Sequence, residues 1–176
     1  MSGTIIKKLE RPEVDQVSRF KLAGGVDQAL ERFIRRDAAR SGTANLTQTY
    51  VAKREGETRI AGYISLMCAE IAFEHSYSIP DKAGADRYEF QPAIRIARLG
   101  VDISSQKEGI GRKLVTTAVG IAQAVIQPAV GCRFVILDAK AQSVAFYERL
   151  GFQLLATDAN AANVTPVMFL DLQDLH

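Results

Sequence analysis

The sequence has 176 residues, is 47% hydrophobic and carries a formal net charge of +2 with a pI near 8.6. That is enough apolar material for one sizeable core, no polar linker divides it, and so mild a charge makes no bulk demand for a nucleic-acid partner. Met1 to Lys8 lacks the apolar centre of a signal peptide and no run approaches the ~18 apolar residues of a membrane span, so one cytoplasmic domain over residues 1–176 is expected. Cys68 and Cys132 have no metal-ligand spacing and are expected as free core thiols.

Thr4 to Leu9 predicts an edge strand, followed by an irregular segment bracketed by Pro12 and Gly24-Gly25. Val26, Ala29, Leu30, Phe33 and Ile34 define a helix to about Arg40, ended by Ser41-Gly42. Thr47 to Lys53 and Arg59 to Leu66 are β-rich and joined by a hairpin signal at Glu55-Gly56. Glu74 to Gln91, with Pro80 and Gly84, reads as a surface excursion. Then come a strand Ile94 to Val101 and a long helix from about Gly109 to Gln127. A strand Phe134 to Asp138, a short helix Ser143 to Leu150 and closing strands Phe152 to Ala156 and Val164 to Leu172 complete the chain. Strands alternating with helices, with antiparallel pairs at both ends, predict an α/β fold with a mixed sheet flanked by helices.

The segment Gln106-Lys107-Glu108-Gly109-Ile110-Gly111-Arg112 carries the most chemistry, because a strand ending in a glycine loop that opens a helix is a phosphate cradle. A nucleotide P-loop needs Gly-Lys-Ser/Thr, and Arg112-Lys113-Leu114 stands there instead; a dinucleotide loop needs a third glycine at the position of Leu114. The Gln-x-x-Gly-x-Gly order resembles the pyrophosphate loop of the GCN5-related N-acetyltransferases (GNAT), which hold acetyl-CoA. Downstream, the ending Phe146-Tyr147-Glu148-Arg149-Leu150-Gly151-Phe152 resembles the last helix and following strand of that family, with Gly151 as a left-handed cap. The order Thr49-Tyr50-Val51-Ala52, Ile60 to Leu66, Ile96 to Asp102 and Phe169-Leu170-Asp171-Leu172 is similar to the acetyltransferase toxins of bacterial toxin–antitoxin pairs.

The resemblance implies the GNAT fold, a mostly antiparallel sheet with a splayed parallel pair. It implies acetylation of the α-amino group of an aminoacyl-tRNA, which blocks translation, neutralisation by a small antitoxin, a homodimer, and no metal. Leu99, Gly100 and Val101 would pair their main chain with the pantetheine arm, in the manner of an added strand. Gln106, Lys107, Glu108, Gly109, Ile110, Gly111, Arg112 and Lys113 would hold the pyrophosphate. Tyr147 would be the general acid for the leaving thiolate, since a phenol stays protonated at neutral pH. The amine would attack directly, with an amide near Val101 stabilising the oxyanion.

The chain departs from the family at Lys140, where many members have Asn, and from the toxins at Gln106 and Gly100. Glu70 is a candidate general base whose other reading is a solvated charge. Arg32, Arg35, Arg36 and Arg40 form a helical stripe that is either a solvated face or, with Lys7, Lys8 and Arg11 or with Arg95 and Arg98, a tRNA-phosphate surface. His75 and His176 are badly placed for a catalytic triad. An acetyltransferase of a small amine, peptide or protein N-terminus, and a CoA-binding module without chemistry, are the alternative functions.

Overall fold

The computed structural model describes residues 3–10, 17–23, 27–79 and 87–175. The predicted features at Arg11, Pro12, Gly24, Gly25, Val26, Pro80, Gly84 and His176 lie outside the described residues. The strands are β1 (Thr4–Lys8), β2 (Gln48–Arg54), β3 (Ile60–Ala72), β4 (Phe90–Val101), β5 (Phe134–Asp138), β6 (Gln153–Leu154) and β7 (Val167–Asp171), in the sheet order β1-β2-β3-β4-β5-β7-β6. Helix α1 is assembled from Gln28–Arg32, a π-helical turn Phe33–Asp37 and Ala38–Thr43; α2 from Ile110–Ile121, a π-helical turn Ala122–Ile126 and Gln127–Val130. Two short helices follow, α3 (Val144–Glu148) and α4 (Asp158–Ala161). The pairs β1–β2, β2–β3, β5–β7 and β6–β7 are antiparallel. β4 and β5 are neighbours joined through α2, the crossover that parallel strands require. The mixed α/β architecture expected from the sequence is therefore present.

The chain forms two compact units, residues 1–67 with 96–118 and residues 68–95 with 119–176. In the first, β1 pairs with β2 from Thr4↔Arg54 to Lys8↔Tyr50, and β2 pairs with β3 with a bulge between Ala52 and Lys53. Its core gathers Val17, Phe20, Phe33, Ile34, Ala38, Val51, Ile60 and Tyr63. Tyr63 is the centre: Phe20 meets it edge-on at 5.5 Å, Phe33 stacks at 6.2 Å, and its hydroxyl donates to the Leu30 carbonyl at 2.9 Å. Burial raises the Tyr63 pKa, so the phenol stays neutral and its hydrogen bond persists.

Two glycines make this core possible. A Cβ on Gly62 would stand 2.8 Å from Ile110 Cγ2, 3.0 Å from the Gly100 carbonyl oxygen and 3.0 Å from Leu114 Cδ1; one on Gly100 would stand 2.9 Å from Tyr63 Cε1. The first turn of α2 thus lies on the sheet at a distance that no larger residue permits.

In the second unit Phe73, Phe134 and Phe169 pack with Tyr77 at centroid distances of 4.8 to 6.3 Å. Beside them, fully buried Asp171 accepts from Arg133 Nε at 2.6 Å and Nη2 at 2.8 Å, and from the Tyr77 hydroxyl at 3.2 Å. This bidentate pairing compensates a buried carboxylate.

Several boundaries differ from the sequence expectation. Helix α1 runs through Ser41-Gly42 to Thr43, and stops where Asn45 turns left-handed (φ 55°) and donates to the Gly42 carbonyl. β3 continues past Leu66 to Ala72, and β4 begins at Phe90 rather than Ile94. Helix α2 passes Pro128, which sits in the first turn after the π-helical turn, a position that tolerates a missing N–H. The 157–163 segment contains α4, capped by the Thr157 hydroxyl. Cys132 is buried as expected, whereas Cys68 is exposed on β3; both are free. Ile110–Val130, 21 residues with hydropathy 1.2, is long and apolar enough to cross a membrane by length and composition, contrary to the sequence reading. Its apolar side also serves as a core face, with Ile110, Leu114, Val115, Ala118 and Ala122 buried, as a helix lying on a sheet requires.

Gly62→Ala is expected to destabilise the protein by about 1–3 kcal/mol, because the added methyl overpacks against α2 and backbone. A urea midpoint equal to wild type would show that the helix can step back.

Candidate active site

β4 ends at Val101, and the chain turns at once around Asp102 into the short 3-10 turn Ile103–Ser105. Leu99 and Val101 are half-buried and Gly100 is buried. The Asp102 N–H donates to the Ala61 carbonyl at 2.9 Å, which ties the end of β4 to β3.

Residues 106–109 then form an exposed loop with two left-handed residues, Lys107 (φ 67°) and Gly109 (φ 76°). Such alternation of backbone hands turns successive N–H groups toward one side, a concave anion site. Nothing lies within 4 Å of where a Gly109 Cβ would stand, so its glycine is needed for conformation and for open space, not for close packing. The first α2 hydrogen bond runs from the Lys113 N–H to the Gly109 carbonyl at 3.1 Å, so the amides before it have no partner within the helix. Arg112 is exposed at this end. The Lys113 ammonium is turned aside and donates to Thr4 Oγ1 at 2.9 Å. Arg54 braces the loop from the β2 end: it pairs with Glu108 and reaches Ser105 Oγ at 3.4 Å and Glu57 at 3.5 Å. Hydrogen bonds and charge from Glu108 raise the Arg54 pKa.

Within the second unit, α3 carries Tyr147 and ends in a double cap. The Gly151 N–H (φ 90°) donates to the Glu148 carbonyl at 2.9 Å and the Phe152 N–H to the Tyr147 carbonyl at 3.1 Å. This is the left-handed glycine cap expected from Gly151. The Tyr147 ring is 8% exposed and packs against Phe146 and Phe152 at 5.0 and 5.7 Å. Burial pushes its pKa up to about 12. No hydrogen-bond partner for its hydroxyl is present among the described residues. It is therefore a protonated phenol whose donor is uncommitted.

The basic residues divide into two groups. Arg32, Arg36 and Arg40 on α1 are exposed to solvent, Arg40 within 3.4 Å of Asp37. The others are engaged inside their units: Arg35 donates to the Phe20 carbonyl and pairs with Glu31 at 3.3 Å, Arg98 lies 4.0 Å over the Phe33 ring, and Arg95 pairs with Asp138. Arg35 thus departs from the expected surface stripe, because the chain before α1 gives it a carbonyl to bind. Glu70 is exposed on β3, as its reading as a solvated charge expects, and no group of residues that could hold a metal ion occurs among the described residues. Sequence reasoning missed Asp102, Arg59 and Arg54, which are linked to Lys21, Asp102 and Glu108 respectively across distances in the chain that leave no periodic signal.

The first unit thus offers an exposed glycine loop at the start of α2, and the second a protonated tyrosine before a Gly-Phe cap. The acetyltransferase (GNAT) domain matches residues 45–154, and the chain belongs to this family; it is an N-acetyltransferase that uses acetyl-CoA. The residues fit that cosubstrate, since the cradle is open, exposed and free of Cβ at Gly109.

Among its relatives is the tRNA-acetylating toxin of Mycobacterium tuberculosis, 25% identical over 148 residues, 83% of each chain. AtaT in complex with acetyl-methionyl-tRNAfMet matches with a TM-score of 0.81 at 22% identity, over 98% of this chain and 97% of that one. A tyrosine-to-phenylalanine mutant of the AtaT toxin bound to the C-terminus of the antitoxin AtaR matches with a TM-score of 0.76 at 20% identity, over 98% and 95%. At such identities the structural matches establish the shared fold.

Gly109→Ala must hold a Cβ at positive φ, a cost of about 1–2 kcal/mol. Acetyl-CoA affinity measured by calorimetry is expected to fall about tenfold. Unchanged affinity would remove the 106–112 loop from the cosubstrate site.

Proposed function

We propose that the chain is a single acetyltransferase domain acting in the cytoplasm, which transfers acetyl from acetyl-CoA to the α-amino group of an aminoacyl-tRNA and so arrests translation. The observation that carries this reading is the likeness along nearly the whole chain to tRNA-acetylating toxins. The residues described above supply the parts. The main chain of Leu99, Gly100 and Val101 binds the pantetheine arm, and the amides of Gln106 to Lys113 take the pyrophosphate, with Arg112 adding charge. Acetyl-CoA supplies an activated acyl group.

A Val101 amide would stabilise the oxyanion, and Tyr147 would give its proton to the departing thiolate. Its raised pKa suits a general acid, because the phenol holds its proton until a strong base forms beside it. Arg32, Arg36 and Arg40 supply the phosphate-facing surface. A small antitoxin and a homodimer are the protein partners this reading implies.

Transfer of label from acetyl-CoA to bulk aminoacylated tRNA, beside deacylated tRNA and a panel of amines and peptides, tests the acceptor. Label on charged tRNA alone is expected; label on a small amine or peptide alone would discard the toxin and keep the enzyme.

Tyr147→Phe is expected to lower turnover by about 10²-fold or more with acetyl-CoA affinity nearly unchanged. Because its raised pKa means the acid is still protonated below about 11, wild-type turnover should show no alkaline loss from Tyr147 up to about pH 10. Parallel loss of cosubstrate binding in the Phe variant would make the tyrosine structural.

Arg32→Glu with Arg36→Glu should weaken tRNA binding. The slope of log affinity against log salt should fall by about 1 for each phosphate contact removed. An unaltered slope would place the tRNA elsewhere.

A further inference from the structure

Asp102 is fully buried yet ionised, and its two oxygens serve different parts of the first unit. Oδ2 accepts from the Lys21 N–H at 2.9 Å. Oδ1 accepts from the Ser104 N–H at 3.0 Å, the Ser104 hydroxyl at 2.6 Å and Arg59 Nη2 at 2.8 Å. Burial alone would push its pKa up; the donors outweigh it and hold the carboxyl below its ordinary value. The Lys21 carbonyl returns a bond, accepting from the Ile103 N–H at 2.8 Å. On its other side the 17–23 segment is fastened to α1, where the Leu22 N–H donates to Glu31 Oε1 at 2.8 Å and Arg35 donates to the Phe20 carbonyl. Phe20 lies against Gly100, 3.3 Å from where a Cβ would be.

We infer that Asp102 is a positioning residue for acetyl transfer, one carboxylate that fixes the 17–23 segment as a wall beside the end of β4 and joins it to the turn leading into the 106–112 loop. The inference rests on the reading that Val101 and that loop receive acetyl-CoA. Under it the 17–23 segment stands beside the strand end where the thioester would lie, and a wall that drifts by about an ångström costs rate without costing cosubstrate affinity.

Asp102→Asn separates these roles. Three donors converge on Oδ1, so the amide oxygen stays on that side and the NH2 faces the Lys21 N–H, donor against donor. Turnover per acetyl-CoA-binding molecule is expected to fall about tenfold or more. Acetyl-CoA affinity should stay within about threefold of wild type. Amide hydrogen exchange should quicken in the peptide covering 17–23 and not in 106–112.

Glu31→Ala loosens the same segment from its α1 side and should reproduce the split. Arg59→Ala, which removes one donor from the Oδ1 side, should leave turnover within about threefold. Wild-type turnover in Asp102→Asn, or turnover and acetyl-CoA affinity lost in step, overturns the inference. If Asp102→Asn does not fold, Glu31→Ala decides, and unchanged turnover in it is equally fatal. A wild-type protein that fails to bind acetyl-CoA sinks the functional reading itself, whereas normal binding with an indifferent Asp102→Asn sinks only the role of Asp102.

Discussion

The contact between the first turn of α2 and the sheet at Gly62 governs the geometry of the first unit. Ile110 and Leu114 occupy the space that any side chain at position 62 would need, and the Gly100 carbonyl closes the same space from β4. The Ile110 and Leu114 side chains of α2 therefore rest directly on the backbone of β3. The helix N-terminus is held at a fixed height above the strand end, and the loop between them has no slack. Close packing of this kind transmits displacement, because interiors as dense as organic crystals cannot absorb an added methyl.

The tyrosine half obeys a different constraint. The Tyr147 carbonyl accepts both the Leu150 and Phe152 amides, at 2.9 and 3.1 Å, so the residue is the end post of its helix. Packing between Phe146 and Phe152 then leaves the ring little freedom. In the function proposed above, a proton donor already immobilised would have no ordering entropy to lose when the leaving group forms. Desolvation by the same aromatic neighbours keeps the phenol neutral.

How much of this was legible in the sequence depends on the range of the interaction. The Gly151 cap, the strand Phe134–Asp138 and the loop before α2 follow from local chemistry, namely a left-handed glycine, a short β-branched run and a glycine pair at a helix start. β3 beyond Leu66 was not legible, since Met67 and Cys68 are exposed, Glu70 is charged, and only its strand neighbours keep that stretch extended. The same holds for Arg35: helical spacing places it on the stripe with Arg32 and Arg36, while the Phe20 carbonyl, remote from α1 in the chain, draws it inward. Asp102 stood in the motif that carried the family resemblance, yet its four donor groups come from three separate segments that no spacing rule connects.

Each long helix contains a π-helical turn, Phe33–Asp37 in α1 and Ala122–Ile126 in α2. Such a turn holds one residue more than an α-helical one, so everything beyond it is rotated by roughly 100° from where an unbroken helix would put it. Beyond the turn in α1, Ala38 reaches the core and Arg40 the solvent. The two turns are therefore the places where this chain can lose a single residue while both helices stay whole, and where homologous helices of unequal length can be superposed at both ends at once. An alignment that spreads such a gap over the neighbouring loops would misassign every position between.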